Sequence, residues 1–290
     1  MKRALQVIIY LYCVGTVVYF VGNYVHKKRQ VSLPVATVKL SKLPKEKPTI
    51  KKPEPKKITL KNVKKKVFKG KISIIIDDVG YDERLALMFT RLNIPLAFSC
   101  LPYAPHTGKI ANKLHGMGYT VMLHMPCEPI HHPFHGLGPG ALFVDASEEE
   151  ITERLEKAYK NVPFAEGLNV HEGSQFSQSA DKMDVMMRFL KQKSLFFVDS
   201  MTTPYSIGYL EAEDEGIPFA KRDVFLDNVK DVSYIKKQLN NALYAARKKG
   251  RAVAIAHCNK ITYKALRESI GDLNESNIRI VDIKRNLCTF

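Results

Sequence analysis

Hydrophobic and polar positions divide the chain into three stretches with different rhythms. Residues 4–25 (ALQVIIYLYCVGTVVYFVGNYV) run for twenty-two positions without a charge. A membrane-spanning helix needs roughly 20 apolar residues, and the core of a cleaved signal is usually about 7–15. Residues 1–30 are therefore expected to form an uncleaved signal anchor, with a removed signal peptide as the alternative. Residues 31–70 repeat proline and lysine with no apolar period. Proline stiffens such a segment and lysine repulsion extends it, so a solvated linker is expected. From residue 71 to 290 the rhythm changes to that of a globular domain.

In that last stretch short apolar runs alternate with amphipathic ones. The runs at 72–77, 94–101, 119–124, 167–171, 195–199, 217–220, 252–257 and 278–283 have the length and composition of buried strands. Helical spacing recurs near 82–92, 106–117, 147–161, 180–193, 204–215, 232–249 and 262–275, and Ser147 with Glu150 predicts a capping box. Seven or eight strand–helix units predict parallel strands covered by helices, closed as a barrel or open as a doubly wound sheet.

Charge changes the picture only in its placement. The formal net charge is +16, but residues 71–290 carry 27 basic and 27 acidic side chains. The excess lies wholly in the first quarter of the chain. A neutral domain has no basic groove, so nucleic acid is not expected as a partner. Five cysteines without a CxxC pair form neither a zinc ribbon nor a disulfide framework. Lys2 and Arg3 precede the apolar segment and Lys27, Lys28 and Arg29 follow it. That count alone leans toward a cytoplasmic C-terminus.

The chemistry collects at the ends of the strands. Their runs finish in Asp77-Asp78, in His124, in Asn169, His171 and Glu172, in Asp199-Ser200 and in His257, with Arg222 and Asp223 in KRDVFLDN between them. In parallel α/β folds these C-terminal ends meet on one face. Two imidazoles and a carboxylate are a common shell for zinc or a similar divalent ion that keeps a position open. Asp78, His124 and His171 are the expected trio, since three strand ends can surround one ion. Asp77 is then the expected base, Arg222 its brace and His257 an acid for the leaving group. His131, His132 and His135 in HHPFHG read as a solvated rim rather than ligands, and GLGPGAL has neither GxGxxG nor Walker spacing.

Eight ordered segments carry a resemblance: IIIDDVGY, LPYAPH, LHMPCEP, GPGAL, NVHEGS, LFFVDSMT, KRDVFLDN and AIAHCNKITYKAL. Across residues 71–270 they resemble the divergent polysaccharide deacetylase family of the NodB-homology carbohydrate esterase superfamily. The resemblance implies a distorted (β/α) barrel and a secreted or membrane-tethered location. It also implies a metal held by Asp78, His124 and His171, with Asp77 as base and His257 as acid. Family members commonly read NNHMGS where this chain has Val170 and Glu172, glycine where it has Ala256, and PMEP where it has Cys127. The superfamily's usual pair of histidines four residues apart is missing near the site.

Two functions follow. The first is an envelope-anchored, metal-dependent hydrolase that removes acetyl groups from a glycan, its domain exported and held to the membrane by the N-terminal helix. The second is a catalytically silent glycan- or envelope-binding protein on the same fold.

Overall fold

In GKISIIIDDV the branched isoleucines favour an extended backbone and pack on both faces of a pleated sheet. They form β1 (Gly70–Val79), an inner strand of the sheet in the computed structural model, which describes residues 68–131 and 137–289. The expected anchor (1–30) and almost all of the expected linker (31–70) lie outside the described residues. No helix among the described residues is long and apolar enough to cross a membrane.

Eight further strands follow: β2 (Leu96–Cys100), β3 (Thr120–Cys127), β4 (Ala165–Glu172), β5 (Phe196–Asp199), β6 (Phe219–Lys221), β7 (Val224–Phe225), β8 (Arg251–His257) and β9 (Ile278–Ile280). The ladder runs β6-β5-β4-β3-β2-β1-β8-β7 with every pairing parallel, and β9 pairs with the start of β1. Between them lie helices α1 (Glu83–Thr90), α2 (Thr107–Gly116), α3 (Glu148–Asn161), α4 (Ala180–Lys193), α5 (Gly208–Asp214), α6 (Val232–Lys249), α7 (Lys260–Glu268) and α8 (Ile270–Glu275). This is a parallel α/β half-barrel. Among the described residues no ladder joins β6 to β7. The C-terminal segment covers that seam instead, with Cys288 bridging Phe219 and the Asn286 amide donating to the Ala252 carbonyl at 2.7 Å.

Side chains alternate across each strand. One set, including Ile72, Ile74 and Ile76, packs outward on the helices. The other set, Ile75, Ala97, Met122, Phe196, Val198, Val253 and Ile255, fills the interior. Gly167 of β4 shares this interior face, and a Cβ there would stand 2.3 Å from the Phe196 ring. Overpacking of this kind costs about 1–3 kcal/mol. Gly167→Ala is accordingly expected to lower the denaturant midpoint with an unchanged slope; an unaltered midpoint would contradict this packing.

Several boundaries differ from the sequence expectation. The single helix expected at 262–275 is two, Lys260–Glu268 and Ile270–Glu275, with Ser269 between them donating its hydroxyl to the Ala265 carbonyl. The run at 278–283 pairs only through Ile280 and then tightens into a 3₁₀ turn at Ile283–Arg285. Helix α5 begins at Gly208 rather than 204, after a turn built on Asp199, whose carboxylate accepts from the Met201 and Tyr209 amides and the Ser206 hydroxyl. The two-residue β7 lies in an apolar run of only three residues, 224–226, shorter than the runs read as strands. The capping box of Ser147 and Glu150 on α3 forms as expected.

Candidate metal centre

One step beyond the apolar interior layer, toward the C-terminal ends, the same inward face carries Asp77, Ser99, His124, Asn169 and His257. Strand register sets Asp77 beside His257 and His124 beside Asn169. In a regular strand, consecutive residues point to opposite faces, so Asp77 and Asp78 would be separated. A bulge in β1 prevents this: the register with β2 slips between Ile76 and Val79, and Asp78 takes a left-handed φ of 58°. Such a conformation is costly for a non-glycine residue and persists where surrounding structure enforces it. Both carboxylates thereby reach one site.

Asp78 Oδ1 lies 3.0 Å from His171 Nδ1 and 3.3 Å from His124 Nε2, and these two nitrogens are 3.2 Å apart. The oxygen is buried and has no hydrogen-bond partner. Three ligand atoms converging on one point at these separations are the edges expected around an ion bound at about 2.0–2.2 Å. The donor set of two imidazoles and a carboxylate fits a divalent metal. Glu172 is exposed, has φ of 56°, and stands outside this cluster. His131 is exposed and also outside it, while His132 and His135 lie outside the described residues.

Asn169 organises the cluster from behind. Its amide nitrogen donates to both Asp77 oxygens at 3.0 and 3.1 Å. Its carbonyl oxygen therefore faces the Ser99 hydroxyl and His124 Nδ1, the latter at 2.9 Å. With the Nδ1 proton directed to Asn169, the Nε2 lone pair of His124 is aimed at the metal position, the usual arrangement for a ligating histidine.

Asp77 is 3% exposed and its Oδ2 is 3.7 Å from His124 Nε2. Burial raises its pKa, opposed by His124 and Asn169, and a raised carboxylate is a stronger base. Asp78 is held far below the usual carboxylate range: burial pushes it up, but the two imidazoles outweigh that.

His257 approaches from β8, its Nε2 3.8 Å from Asp78 Oδ2. Its Nδ1 is 3.1 Å from Asp227, a buried carboxylate that also accepts from the His257 amide, Asn259 and the Thr262 hydroxyl. Burial lowers the His257 pKa, but Asp227 more than reverses this and raises it. That holds the ring protonated further into the neutral range, with one nitrogen anchored and the other facing the site.

Arg222 does not make the brace expected of it. Its guanidinium donates to the Ser200 and Met201 carbonyls and lies over the Phe225 ring at 4.9 Å, reaching Asp77 only through its charge. Its chain neighbour Asp223 binds Lys249 instead, at 2.7 Å. Contact with Asp77 falls to Asn169. Sequence reasoning placed Asn169 at a strand end without a role and passed over Ser99 and Asp227; the available signal was the two-residue spacing of Asn169 and His171 on one strand face.

Burial lowers the His124 pKa, but Asp77 and Asp78 reverse this and bring it to about 9, against an ordinary 6.5. A folded value above the unfolded one stabilises the metal-free protein fully below pH 6.5, and that contribution is lost as pH rises to about 9. A ligating imidazole must be neutral, so metal entry expels this proton. Metal affinity is therefore expected to climb with pH through that window. Calorimetry in buffers of unequal ionisation heat should record release of about one proton; a pH-independent affinity would contradict it.

Residues 74–287 match the family model of the divergent polysaccharide deacetylases. The chain is similar to the uncharacterized protein YibQ of Escherichia coli (strain K12), at 31% identity over 207 residues, covering 71% of this chain and 64% of that protein. It thus spans somewhat under two thirds of that relative. An uncharacterized protein of Haemophilus influenzae is 29% identical over 206 residues, covering 71% of this chain and 73% of its own length. In three dimensions the crystal structure of the uncharacterized protein ATU2773 from Agrobacterium tumefaciens C58 superposes with a TM-score of 0.71 at 19% identity, covering 75% of this chain and 89% of that one. With the family model matched over most of its globular part, the chain belongs to the divergent polysaccharide deacetylase family.

Proposed function

We propose that the protein is a metal-dependent hydrolase that removes acetyl groups from a glycan. The observation that supports this most strongly is the convergence of Asp78, His124 and His171 beside a buried second carboxylate, Asp77. Zinc suits the donor set, and such an ion supplies Lewis acidity, lowering the pKa of water toward ~7 and polarising a carbonyl. Asp77, fixed by both hydrogen bonds from Asn169, takes the proton of the attacking water. His257, anchored through Nδ1 on Asp227, gives the proton from Nε2 to the departing amine or alcohol. Arg222 adds positive charge behind Asp77 without touching it. Ser99 and Asn169 keep His124 in the tautomer that a ligand needs.

The reading is tested on the full-length chain by metal analysis and by acetate release from acetylated chitooligosaccharide and from muropeptides. Metal bound with acetate released from either supports it. Metal bound with no release from both would favour a silent glycan-binding protein. The same reading puts the domain outside the cytoplasm, tethered by residues 4–25. A reporter fused after residue 290 and active only outside the cytoplasm would stay silent if that placement were wrong.

A further inference from the structure

A cavity of about 330 Å³ lies at the seam, between β6, the start of β8 and the C-terminal segment. That volume is at the lower end of the ~300–1,000 Å³ of small-molecule sites. Arg251 and His257 are the first and last residues of β8, so the cavity is at the end of the strand away from the metal centre. Its residues have no part in the chemistry proposed above.

The charges around this cavity are unequal. Lys221, Lys249 and Arg251 line it against one carboxylate, Asp223. That carboxylate is already satisfied: one oxygen is 2.7 Å from Lys249 Nζ, and the other accepts from the Val253 amide at 2.9 Å. Lys221 and Arg251 remain, and neither has an ion-pair partner among the described residues. Lys221 Nζ lies over the Tyr209 ring at 3.7 Å. The Arg251 guanidinium donates to Cys288 Sγ, a weak acceptor that leaves most of its donors unused.

Asn286 adds an acceptor in need of a donor. It lines the cavity, is 1% exposed, and its amide nitrogen donates to the Ala252 carbonyl. Its Oδ1 is buried and has no hydrogen-bond partner. A buried acceptor left in this state is uncommon in native proteins and calls for a group that completes it.

We propose that this cavity binds a small phosphate monoester that carries a free hydroxyl. Such a phosphate bears a charge of about −1.5 to −2 near pH 7, which matches the two uncompensated cations. The Arg251 fork suits its oxygens, Lys221 supplies a second positive charge, and the ligand's hydroxyl donates to Asn286 Oδ1. Once bound, the ligand ties β6, β8 and the C-terminal segment together across the seam. The inference is independent of the deacetylase reading.

The test uses the full-length protein stripped of metal by a chelator, so that phosphate cannot be held at the metal centre. Glycerol 3-phosphate and inorganic phosphate are titrated by calorimetry in sodium chloride of matched ionic strength, with melting temperature recorded beside it. Wild type is expected to bind one equivalent of glycerol 3-phosphate, to melt higher with it, and to hold it more tightly than inorganic phosphate. Lys221→Ala and Arg251→Ala are each expected to weaken binding roughly tenfold, with Arg251→Lys recovering part of the loss. Both side chains are exposed, so these variants should fold, and their ligand-free melting temperatures check that. Arg247→Ala, near the end of α6 and outside the cavity, serves as a control and keeps the wild-type affinity. In Asn286→Ala the advantage of the ester over inorganic phosphate should vanish. No binding by wild type, or an affinity unchanged in both Lys221→Ala and Arg251→Ala, would overturn the site. Inorganic phosphate bound by wild type as tightly as the ester would overturn the part assigned to the hydroxyl and Asn286.

Discussion

Asp77→Asn is expected to lower kcat for acetate release by about a thousandfold, within the 10²–10⁴ range typical of a positioned acid or base. The substitution keeps the size of the side chain and removes its basicity. It also sets one amide against another, because Asn169 now donates to both oxygens of Asp77. Asn169 would have to turn, and the Ser99 and His124 contacts with it. Some loss of stability should accompany the loss of rate. Metal content, however, should survive, since Asp77 is not among the three converging ligand atoms. Acetate release measured at saturating metal, beside metal analysis of the same sample, separates the two effects. Near-normal kcat in Asp77→Asn would remove Asp77 from the chemistry.

His124→Ala has the opposite signature: metal binding and activity are expected to disappear together. The residue is 2% exposed and supplies one of three ligand atoms. Losing a ligand from a three-residue shell should weaken the ion by more than the ~10–100-fold typical of outer partners. The wild-type melting temperature should rise with added zinc, as for any ligand that binds only the native state. In His124→Ala that rise should be absent. Because Asp77 and Asp78 lose a buried countercharge, the metal-free variant is also expected to be less stable than metal-free wild type at pH 6. A variant that keeps its zinc-dependent melting shift would place the ion elsewhere.

Much of this architecture was legible in the chain because it depends on local composition. The isoleucine run of β1, the Ser147–Glu150 box and the succession of strands and helices all follow from short-range propensity and period. The clustering of Asp78, His124 and His171 was legible for a topological reason, since parallel strands bring their C-terminal ends to one face. What stayed hidden depends on partners distant in sequence. Arg222 had a suitable carboxylate to brace, but two backbone carbonyls after β5 lie nearer its guanidinium. Asp227 reads as an ordinary loop residue until β8 sets His257 against it. The bulge that turns Asp78 inward leaves no mark in IIIDDVG, because its cause is the register with β2. Asn169 looked like one more polar strand end, and only the fold shows it joining Asp77 to His124.

The most direct test is anomalous diffraction at the zinc edge from crystals of the protein grown with zinc. The expected result is a single strong peak about 2.0–2.2 Å from Asp78 Oδ1, His124 Nε2 and His171 Nδ1. A peak on other residues, such as the histidines at 131–135, with none between these three atoms, would contradict the account.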